Sequence, residues 1–133
     1  MKIFKNVLLA LIIIALTDCK KKLPSTLTIV NVNLIDENDK PVEGFTFQIG
    51  GSYPKGLSAI GTFNEFIKTD AQGNINFEKL ITVPTKNITI QPISDIFTEK
   101  ILFKTVNGSY KNADSFFLGI GVVNKLNYKL LKR

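Results

Sequence analysis

The feature that most constrains the fold of this chain is a short-range alternation of apolar and polar side chains along its length. In Thr28–Leu34 valine and leucine alternate with asparagine, and in Phe45–Ile49 phenylalanine and isoleucine alternate with threonine and glutamine. A period of two is typical of a half-buried β-strand, because successive side chains point to opposite faces. Apart from an N-terminal apolar run, no window has a sustained helical period, so the sequence predicts an all-β protein.

Turn signals divide these alternating segments. Polar turns are predicted at Asp36–Pro41 and Asp70–Gly73, and the glycine-rich stretch 50–61 is predicted to be a long loop. The strands predicted from the alternation are 28–34, 42–49, 62–69, 74–77, 87–91, 98–104, 115–123 and 126–130. Many short strands separated by turns favour a sandwich or barrel. We expect a single antiparallel β-sandwich of about seven to eight strands.

Two motifs resemble a known family. Asp36–Gly44 reads Asp-x-x-x-Lys-Pro-Val-x-Gly, and Thr69–Phe77 reads Thr-Asp-x-x-Gly-x-x-x-Phe. On these residues, 27–80 resembles the carboxypeptidase-regulatory-like or transthyretin-like domain, a relative of the Cna-B modules. The resemblance implies a prealbumin-like or Ig-like sandwich that is usually non-catalytic and often serves as an accessory or stalk module of envelope proteins. It does not imply a substrate.

The N-terminus has the pattern of an export signal. Lys2 and Lys5 precede the ten-residue apolar run Val7–Leu16, which is about half the ~20 residues that a membrane-spanning helix needs. Leu16–Cys19 resembles the lipobox of bacterial lipoproteins, although Asp18 stands where that family usually has Gly, Ala or Ser. The resemblance implies that Cys19, the only cysteine, is acylated (palmitate is one such acyl group) and becomes the first mature residue.

The lipobox divides the chain into a signal peptide at 1–18, a tether at 19–25 and a sandwich domain at 26–133. Two alternatives remain open, namely an ordinary signal peptide with an incidental cysteine and an uncleaved signal anchor. Lys20 follows the cysteine, so the acidic residue that retains lipoproteins at the inner membrane is absent. We therefore expect an outer-membrane lipoprotein, and the basic tether favours the periplasmic leaflet over the cell surface.

Charge narrows the classes of partner. The formal net charge is +6, and Lys20–Lys22 lie directly beside the proposed anchor. A basic tract at this place favours anionic lipid headgroups, and the alternative is a solvated linker. Nucleic acid is not expected as a partner, because the chain is predicted to be exported and its aromatic residues do not interleave with a basic stripe.

The chain lacks the residues that several kinds of catalytic and metal site require. The chain has no histidine, and acylation of Cys19 would leave no free thiol, so Ser-His-Asp and Cys-His sites are excluded. We therefore predict no catalytic residue and expect that the chain is not an enzyme. No cofactor is predicted, except that Asp36, Asp39 and Asp70 in two turns at one end of a sandwich could supply oxygen ligands to Ca²⁺. The alternative for these residues is two solvated turns.

Loops at the opposite end, where the tether enters, suggest a contact surface. Alternating strand directions place 50–61 and 106–114 there, and these loops contain tyrosines with neighbouring lysines. Such residues suit contact with a protein, a glycan or a membrane interface. The predicted contact residues are Tyr53, Lys55, Leu57, Tyr110 and Lys111. The alternative is that Tyr53 and Leu57 merely cover the core.

From the sequence we expect a membrane-anchored binding or structural module that docks to an envelope protein or complex. The alternative is a glycan-binding accessory module of a polysaccharide-uptake system. Exposed aromatic side chains in a groove would favour the glycan hypothesis, and the absence of tryptophan argues against it.

Overall fold

The structure is a computed structural model that describes residues 24–95, 98–104 and 108–132. These residues contain nine β-strands and no helix, so the prediction of an all-β sandwich is confirmed. The strands are β1 (Ser25–Ile35), β2 (Thr46–Lys55), β3 (Ser58–Lys68), β4 (Asn74–Thr82), β5 (Asn87–Pro92), β6 (Glu99–Lys104), β7 (Tyr110–Asn112), β8 (Phe116–Leu118) and β9 (Val123–Lys132). The predicted signal peptide and Cys19 lie outside the described residues.

The strands form two sheets. Sheet A has the order β4-β1-β9-β6-β7, and sheet B has the order β3-β2-β5-β8. Neighbouring strands are antiparallel, with the exception of β1 and β9, which pair in parallel from Ile29 beside Val123 to Ile35 beside Lys129. The first and last strands of the domain therefore lie side by side in the middle of sheet A.

The core lies between the two sheets and follows the alternation of the sequence. Val30, Val32 and Leu34 of β1 are buried, and they face Phe47 and Ile49 of β2. The asparagines between the buried residues of β1 point to the outer face of sheet A. Burial of this apolar surface is the main contribution to stability, since no disulfide is available in the described residues.

Strand direction gives the sandwich two distinct ends. We call the end where β1 begins the tether end; the described connections there are 56–57, 83–86 and 119–122. The opposite end contains the described connections 36–45, 69–73, 93–95 and 113–115. Because these carry most of the carboxylates of the domain, we call it the acidic end.

The predicted long loop at 50–61 is wrong, because this stretch forms the β2–β3 hairpin with a two-residue turn at Gly56-Leu57. At Gly51 it is packing that requires a glycine. A Cβ on Gly51 would lie 2.1 Å from the ring of Phe63 on the neighbouring strand. Pro54 is tolerated because this part of β2 pairs only with β3, beyond the last pair that β2 makes with β5, Ser52 beside Asn87.

The predicted strand 115–123 is shorter than expected. β8 ends at Leu118, and the chain turns at 119–122 before β9 begins. Gly121 has a φ of 76° and donates its N–H to the hydroxyl of Thr28 at 2.9 Å, and Asn124 bonds both backbone groups of Gly119. Leu118, Ile120 and Val122 alternate with other residues as in a strand, but a turn begins after Leu118, and the alternation gives no sign of it.

The two lateral edges of the sandwich differ. At what we call the closed edge, the long strands β3 and β4 face each other, and Lys79 of β4 pairs with Glu65 of β3 at 2.5 Å. At what we call the open edge, the outermost strands are β7 and β8, each of three residues. The chain crosses from sheet A to sheet B there, through residues 113–115.

Candidate functional site

The two acidic turns lie beside each other, as the alternation of strand direction predicted. The N–H of Gly44 donates to the carbonyl of Thr69 at 2.9 Å, and the Thr69 N–H donates to the carbonyl of Phe45 at 2.9 Å. The buried Thr69 hydroxyl accepts from the Phe45 N–H at 3.0 Å and donates to the carbonyl of Val42 at 2.6 Å. These bonds hold the two turns together.

Asp36 and Asp70 use their carboxylates on their own turns. Asp36 Oδ1 accepts from the N–H groups of Asn38 and Lys40 at 2.8 and 2.9 Å. The bond from the Lys40 N–H is the main cause that lowers the pKa of Asp36, and the bond from Asn38 acts in the same direction. Asp70 Oδ1 accepts in the same way from Gln72 and Asn74, at 3.0 and 2.8 Å. Each carboxylate therefore shapes a turn.

The third predicted calcium ligand, Asp39, accepts from Lys129 Nζ at 2.8 Å. This hydrogen bond is the main cause that raises the pKa of Lys129. Across the described ranges, no group of three or more Asp, Glu, Cys or His side chains is placed to hold a metal ion together. The calcium site at Asp36, Asp39 and Asp70 remains a prediction, and each of these carboxylates already has a partner within the protein.

Tyr53, Lys55 and Leu57 lie at the tether end, but Tyr110 and Lys111, which were expected there too, do not. Lys111 pairs with Phe103, Phe103 with Tyr128 and Tyr128 with Leu34, so β7 lies level with the last residues of β1, towards the acidic end. Tyr53, Lys55 and Leu57 belong to the β2–β3 hairpin of sheet B, next to the closed edge. Tyr110 and Lys111 belong to β7, at the far edge of sheet A. The strand order thus separates the two groups by most of the width of the sandwich.

The two groups of predicted contact residues differ in exposure and in their neighbours. Tyr53 is half-buried, whereas Leu57 at the hairpin tip is fully exposed. Tyr110 lies near two lysines, with Lys104 Nζ 6.0 Å and Lys129 Nζ 5.9 Å from its ring centroid. These distances are at the outer limit of a cation–π contact, so the Tyr110 ring remains available on the surface.

The open edge contains a cavity that the sequence did not reveal. It has a volume of about 170 Å³ and lies between β6, β9 and the crossing segment that joins β7 to β8. Its walls are formed by Phe103, Asn112, Ala113, Asp114, Ser115, Phe116 and Tyr128. Two adjoining depressions share Ala113 and Asp114 with it, so the crossing segment separates three recesses of the same edge.

Aromatic rings connect this cavity to the centre of the core. Phe47 lies 5.0 Å from Tyr128, Tyr128 lies 5.5 Å from Phe103, and Phe103 lies 4.7 Å from Phe116, all between ring centroids. The rings are tilted at 37–57°, the offset geometry that aromatic pairs prefer. The row ends at Phe116, which is exposed, so the apolar interior continues to the surface at this edge.

Tyr128 supplies the one polar atom of this aromatic row. Its side chain is 1% exposed, and its hydroxyl has no hydrogen-bond partner among the described residues. Burial raises the pKa of Tyr128 well above its usual range, so the phenol stays protonated and can donate. A buried hydroxyl without a partner costs about 1–3 kcal/mol. A group that enters the cavity and accepts a hydrogen bond would remove this cost.

Sequence reasoning placed Tyr128 in a strand but gave it no role. The alternation Leu126, Tyr128, Leu130 did indicate that it faces the core, and a tyrosine in such a position needs a partner for its hydroxyl. The sequence therefore did indicate that Tyr128 needs a hydrogen-bond partner. It gave no sign of the pairing of β6 with β9, which brings Phe103 next to Tyr128.

No helix in the part of the chain that the structure describes is long and apolar enough to cross a membrane. No protein-family model matches the sequence, and no curated protein sequence matches it either.

Several solved structures have a similar arrangement of strands. A 3-chlorocatechol 1,2-dioxygenase from Rhodococcus opacus 1CP is 9% identical with a TM-score of 0.48, covering 86% of this chain and 63% of its own. A pilus-presented adhesin is 10% identical with a TM-score of 0.45 (86% and 29% covered), and a major pilin protein from Streptococcus pyogenes is 12% identical with a TM-score of 0.35 (81% and 44% covered). The chain thus spans less than two thirds of each of these proteins.

The expectation that the chain is not an enzyme is contradicted, because a dioxygenase is among these neighbours together with the pilins. At identities of 9–12% the likeness concerns the fold, and no activity is transferred to this chain.

Proposed function

We propose that the chain is an envelope lipoprotein whose sandwich docks to another envelope protein through the cavity at the open edge. In this proposal the lipobox-like Leu16–Cys19 directs acylation of Cys19. The lipid holds the protein at the outer membrane, with the periplasmic leaflet as the favoured side. The domain is then a relative of the carboxypeptidase-regulatory-like modules, in accordance with the motifs at Asp36–Gly44 and Thr69–Phe77.

The observation that carries the proposal is the buried hydroxyl of Tyr128, which has no partner among the described residues and lies beside a cavity of about 170 Å³. A recess with aromatic rings, a few polar side chains and a buried phenol donor in its wall suits a single side chain that presents an acceptor, such as a carbonyl or amide oxygen. Aromatic anchors in a pocket are also the residues that contribute most to protein interfaces. Phe103 and Phe116 supply two aromatic rings to the walls of this pocket, beside Tyr128.

The flanking strands suit an extended partner segment. β7 and β8 each have one neighbour in their sheets, so each leaves one edge of its backbone unpaired by another strand. A partner strand that pairs with such an edge would place every second side chain towards the sandwich. One of these side chains would then reach the cavity.

The test is affinity capture of the tagged, acylated protein from solubilised envelope, with variants that separate the surfaces. Ala113→Leu places a larger side chain in the wall shared by the three recesses, and we expect it to abolish capture of the partner. Phe66→Ala, an exposed site on sheet B, is the matched control and should leave capture unchanged. Equal capture by the wild type and Ala113→Leu, with both folded, would contradict the proposal.

The anchor has its own test. Mass spectrometry of the membrane-extracted protein is expected to find a chain that begins at Cys19 and carries a diacylglycerol group. Cys19→Ser removes the sulfur to which this group is attached, so the variant should be recovered without the lipid. A wild-type product with an intact leader, or without acyl groups, would overturn the lipoprotein part of the proposal.

A second candidate function, glycan binding, has support from the outer face of sheet B. Phe66 and Phe117 lie exposed on this face, one at each edge. Between them lie Gln48, beside Phe66, and Thr89, beside Phe117. Flat polar surfaces with exposed aromatic rings can stack sugar rings. Binding on a glycan array that Phe66→Ala and Phe117→Ala abolish, and that Ala113→Leu leaves unchanged, would favour this function over the first.

A further inference from the structure

Exposed apolar side chains are concentrated at the tether end. More than half of the large apolar side chains that are exposed in the described residues lie at this end of the sandwich. They are Leu27, Leu57, Leu80, Val83, Val122 and Val123. Leu27 and Leu80 are direct partners in the β1–β4 ladder, and Val123 pairs with Ile29, so these residues share one corner of the outer face of sheet A.

The hairpin tip adds an apolar projection at the same end. Leu57 is 109% exposed, the highest value among the exposed apolar residues. It stands in the two-residue turn of the β2–β3 hairpin, and this hairpin extends beyond the last pair of β2 with β5, Ser52 beside Asn87. A leucine fully in water at the tip of a projecting hairpin contributes nothing to the core. It is suited to burial in another phase.

Charge is also divided along the long axis. The connections at the tether end contain no aspartate or glutamate, whereas Lys55 and Lys86 lie at or beside them. After Ser25, the acidic residues lie almost all at the acidic end. Only Glu65 and Glu78 lie within strands away from it. An apolar surface bordered by lysines is complementary to a bilayer that contains anionic lipids. The opposite end, where carboxylates stand among Lys40, Lys68 and Lys132, is less suited to it.

The length of chain between anchor and domain restricts where this surface can be. Cys19 is six residues before Ser25, so the two are at most about 20 Å apart even when the segment is fully extended. This restriction rests on the proposed acylation of Cys19. An acylated chain cannot hold the tether end far from the headgroups, and Lys20–Lys22 within the segment increase the attraction to anionic lipids.

We propose that the tether end sits directly on the membrane surface. Leu57 and the corner formed by Leu27, Leu80 and Val123 enter the interfacial region of a bilayer that contains anionic lipid. The acidic end points away from the membrane, and the open edge with its cavity stays accessible from the side. The lipid thus fixes the orientation of the sandwich as well as its location.

The absence of tryptophan from the chain provides a direct test. Three single-tryptophan variants of the full-length acylated protein, Leu57→Trp, Leu80→Trp and Phe66→Trp, are reconstituted in vesicles of phosphatidylethanolamine and phosphatidylglycerol with brominated acyl chains. Phe66 is the matched control, because it is also exposed and lies on the same hairpin, roughly 30 Å along the strand from Leu57. Bromine quenches tryptophan only at short range.

We expect the Leu57→Trp and Leu80→Trp variants to lose most of their emission in the brominated vesicles and the Phe66→Trp variant to keep it. Omitting phosphatidylglycerol should reduce the quenching of the first two. Emission that stays unquenched in all three variants, on chains that remain bound to the vesicles, would overturn the inference and leave the lipid anchor intact.

Two other outcomes are also decisive. Failure of the full chain to bind vesicles, together with a mass that lacks acyl groups, would overturn the proposed anchor and the inference with it. A blue shift of the Leu80→Trp emission that grows with protein concentration without vesicles would show that a second copy covers this corner, and would also overturn the inference.

Discussion

The two lateral edges of the sandwich cover the core in different ways. At the closed edge, β3 and β4 have 11 and 9 residues, and the Lys79–Glu65 pair bridges the two sheets. Lys79 Nζ also lies 4.9 Å from the ring centroid of Phe63, so the alkyl chain and the ring cover the core together. At the open edge the strands have three residues each, and a cavity and an unsatisfied hydroxyl remain.

This difference indicates which edge is available for binding. At the closed edge the inward-pointing charged side chains of Lys79 and Glu65 protect long edge strands against addition of another strand. At the open edge, short strands beside a cavity leave apolar surface uncovered and the Tyr128 donor without a partner in the part of the chain that the structure describes. A partner that covers the open edge would therefore gain this apolar contact and this hydrogen bond. Substitutions at the two edges should have different effects on the stability of the protein.

The largest effect is expected from matched phenylalanines. Phe77 of β4 is buried near the closed edge, whereas Phe103 of β6 is half-buried at the open edge. Phe77→Ala should lower the free energy of unfolding by about 3–5 kcal/mol. Phe103→Ala should lower it by about half as much, because its side chain is partly solvated and already borders a cavity. Urea denaturation of both variants measures the difference, and equal losses would mean that the open edge is as well packed as the closed one.

Substitutions at two neighbouring glycines of β2 test how tightly the β2–β3 hairpin is packed. A Cβ on Gly51 would lie within 2.1–2.8 Å of Phe63 and Thr62, whereas a Cβ on Gly50 has its nearest neighbour at 3.7 Å. Gly51→Ala should therefore destabilise the protein by about 1–3 kcal/mol through overpacking. Gly50→Ala, the matched control, should be neutral or stabilise it by up to about 1 kcal/mol. If thermal unfolding shows no loss for Gly51→Ala, the rings at this edge have room that the structure does not indicate.

Tyr128→Phe tests the open edge from the opposite direction. Because the hydroxyl is buried without a partner, its removal should stabilise the free protein by about 1 kcal/mol. The same variant should bind the proposed partner more weakly, because the donor is lost. A loss of stability on removal would mean that the hydroxyl is already satisfied in the free protein, for example by a bound water. In that case the cavity would not offer a partner an unsatisfied hydrogen-bond donor.

The alternation of the sequence predicted much of this molecule because burial in a sandwich depends on period two. Val30, Val32 and Leu34 are buried as expected, and the turn at Asp70–Gly73 forms with Gly73 at a φ of 73°. These features are local. The side chain and the backbone of a few neighbouring residues decide them.

The open edge could not be predicted because it depends on which strands meet. The parallel pairing of β1 with β9 and the three-residue length of β7 leave no local signature. Gly50 and Gly51 suggested a loop, and only the position of Phe63 on the neighbouring strand explains a glycine in β2. The cavity beside Tyr128 likewise results from the crossing of the chain at 113–115, which brings residues of four strands together.

The smallest expected effect concerns the ion pair of the closed edge. The side chains of Lys79 and Glu65 are 31% and 40% exposed, so water screens their attraction, and the pair should contribute about 0.5 kcal/mol. A double-mutant cycle with Lys79→Met and Glu65→Gln isolates this coupling, because methionine retains the apolar cover over Phe63 and glutamine retains the shape of glutamate. The coupling should decrease in high salt. A coupling above about 2 kcal/mol would mean that charge, rather than the length and apolar cover of β3 and β4, keeps this edge closed, and the contrast between the two edges would then be electrostatic.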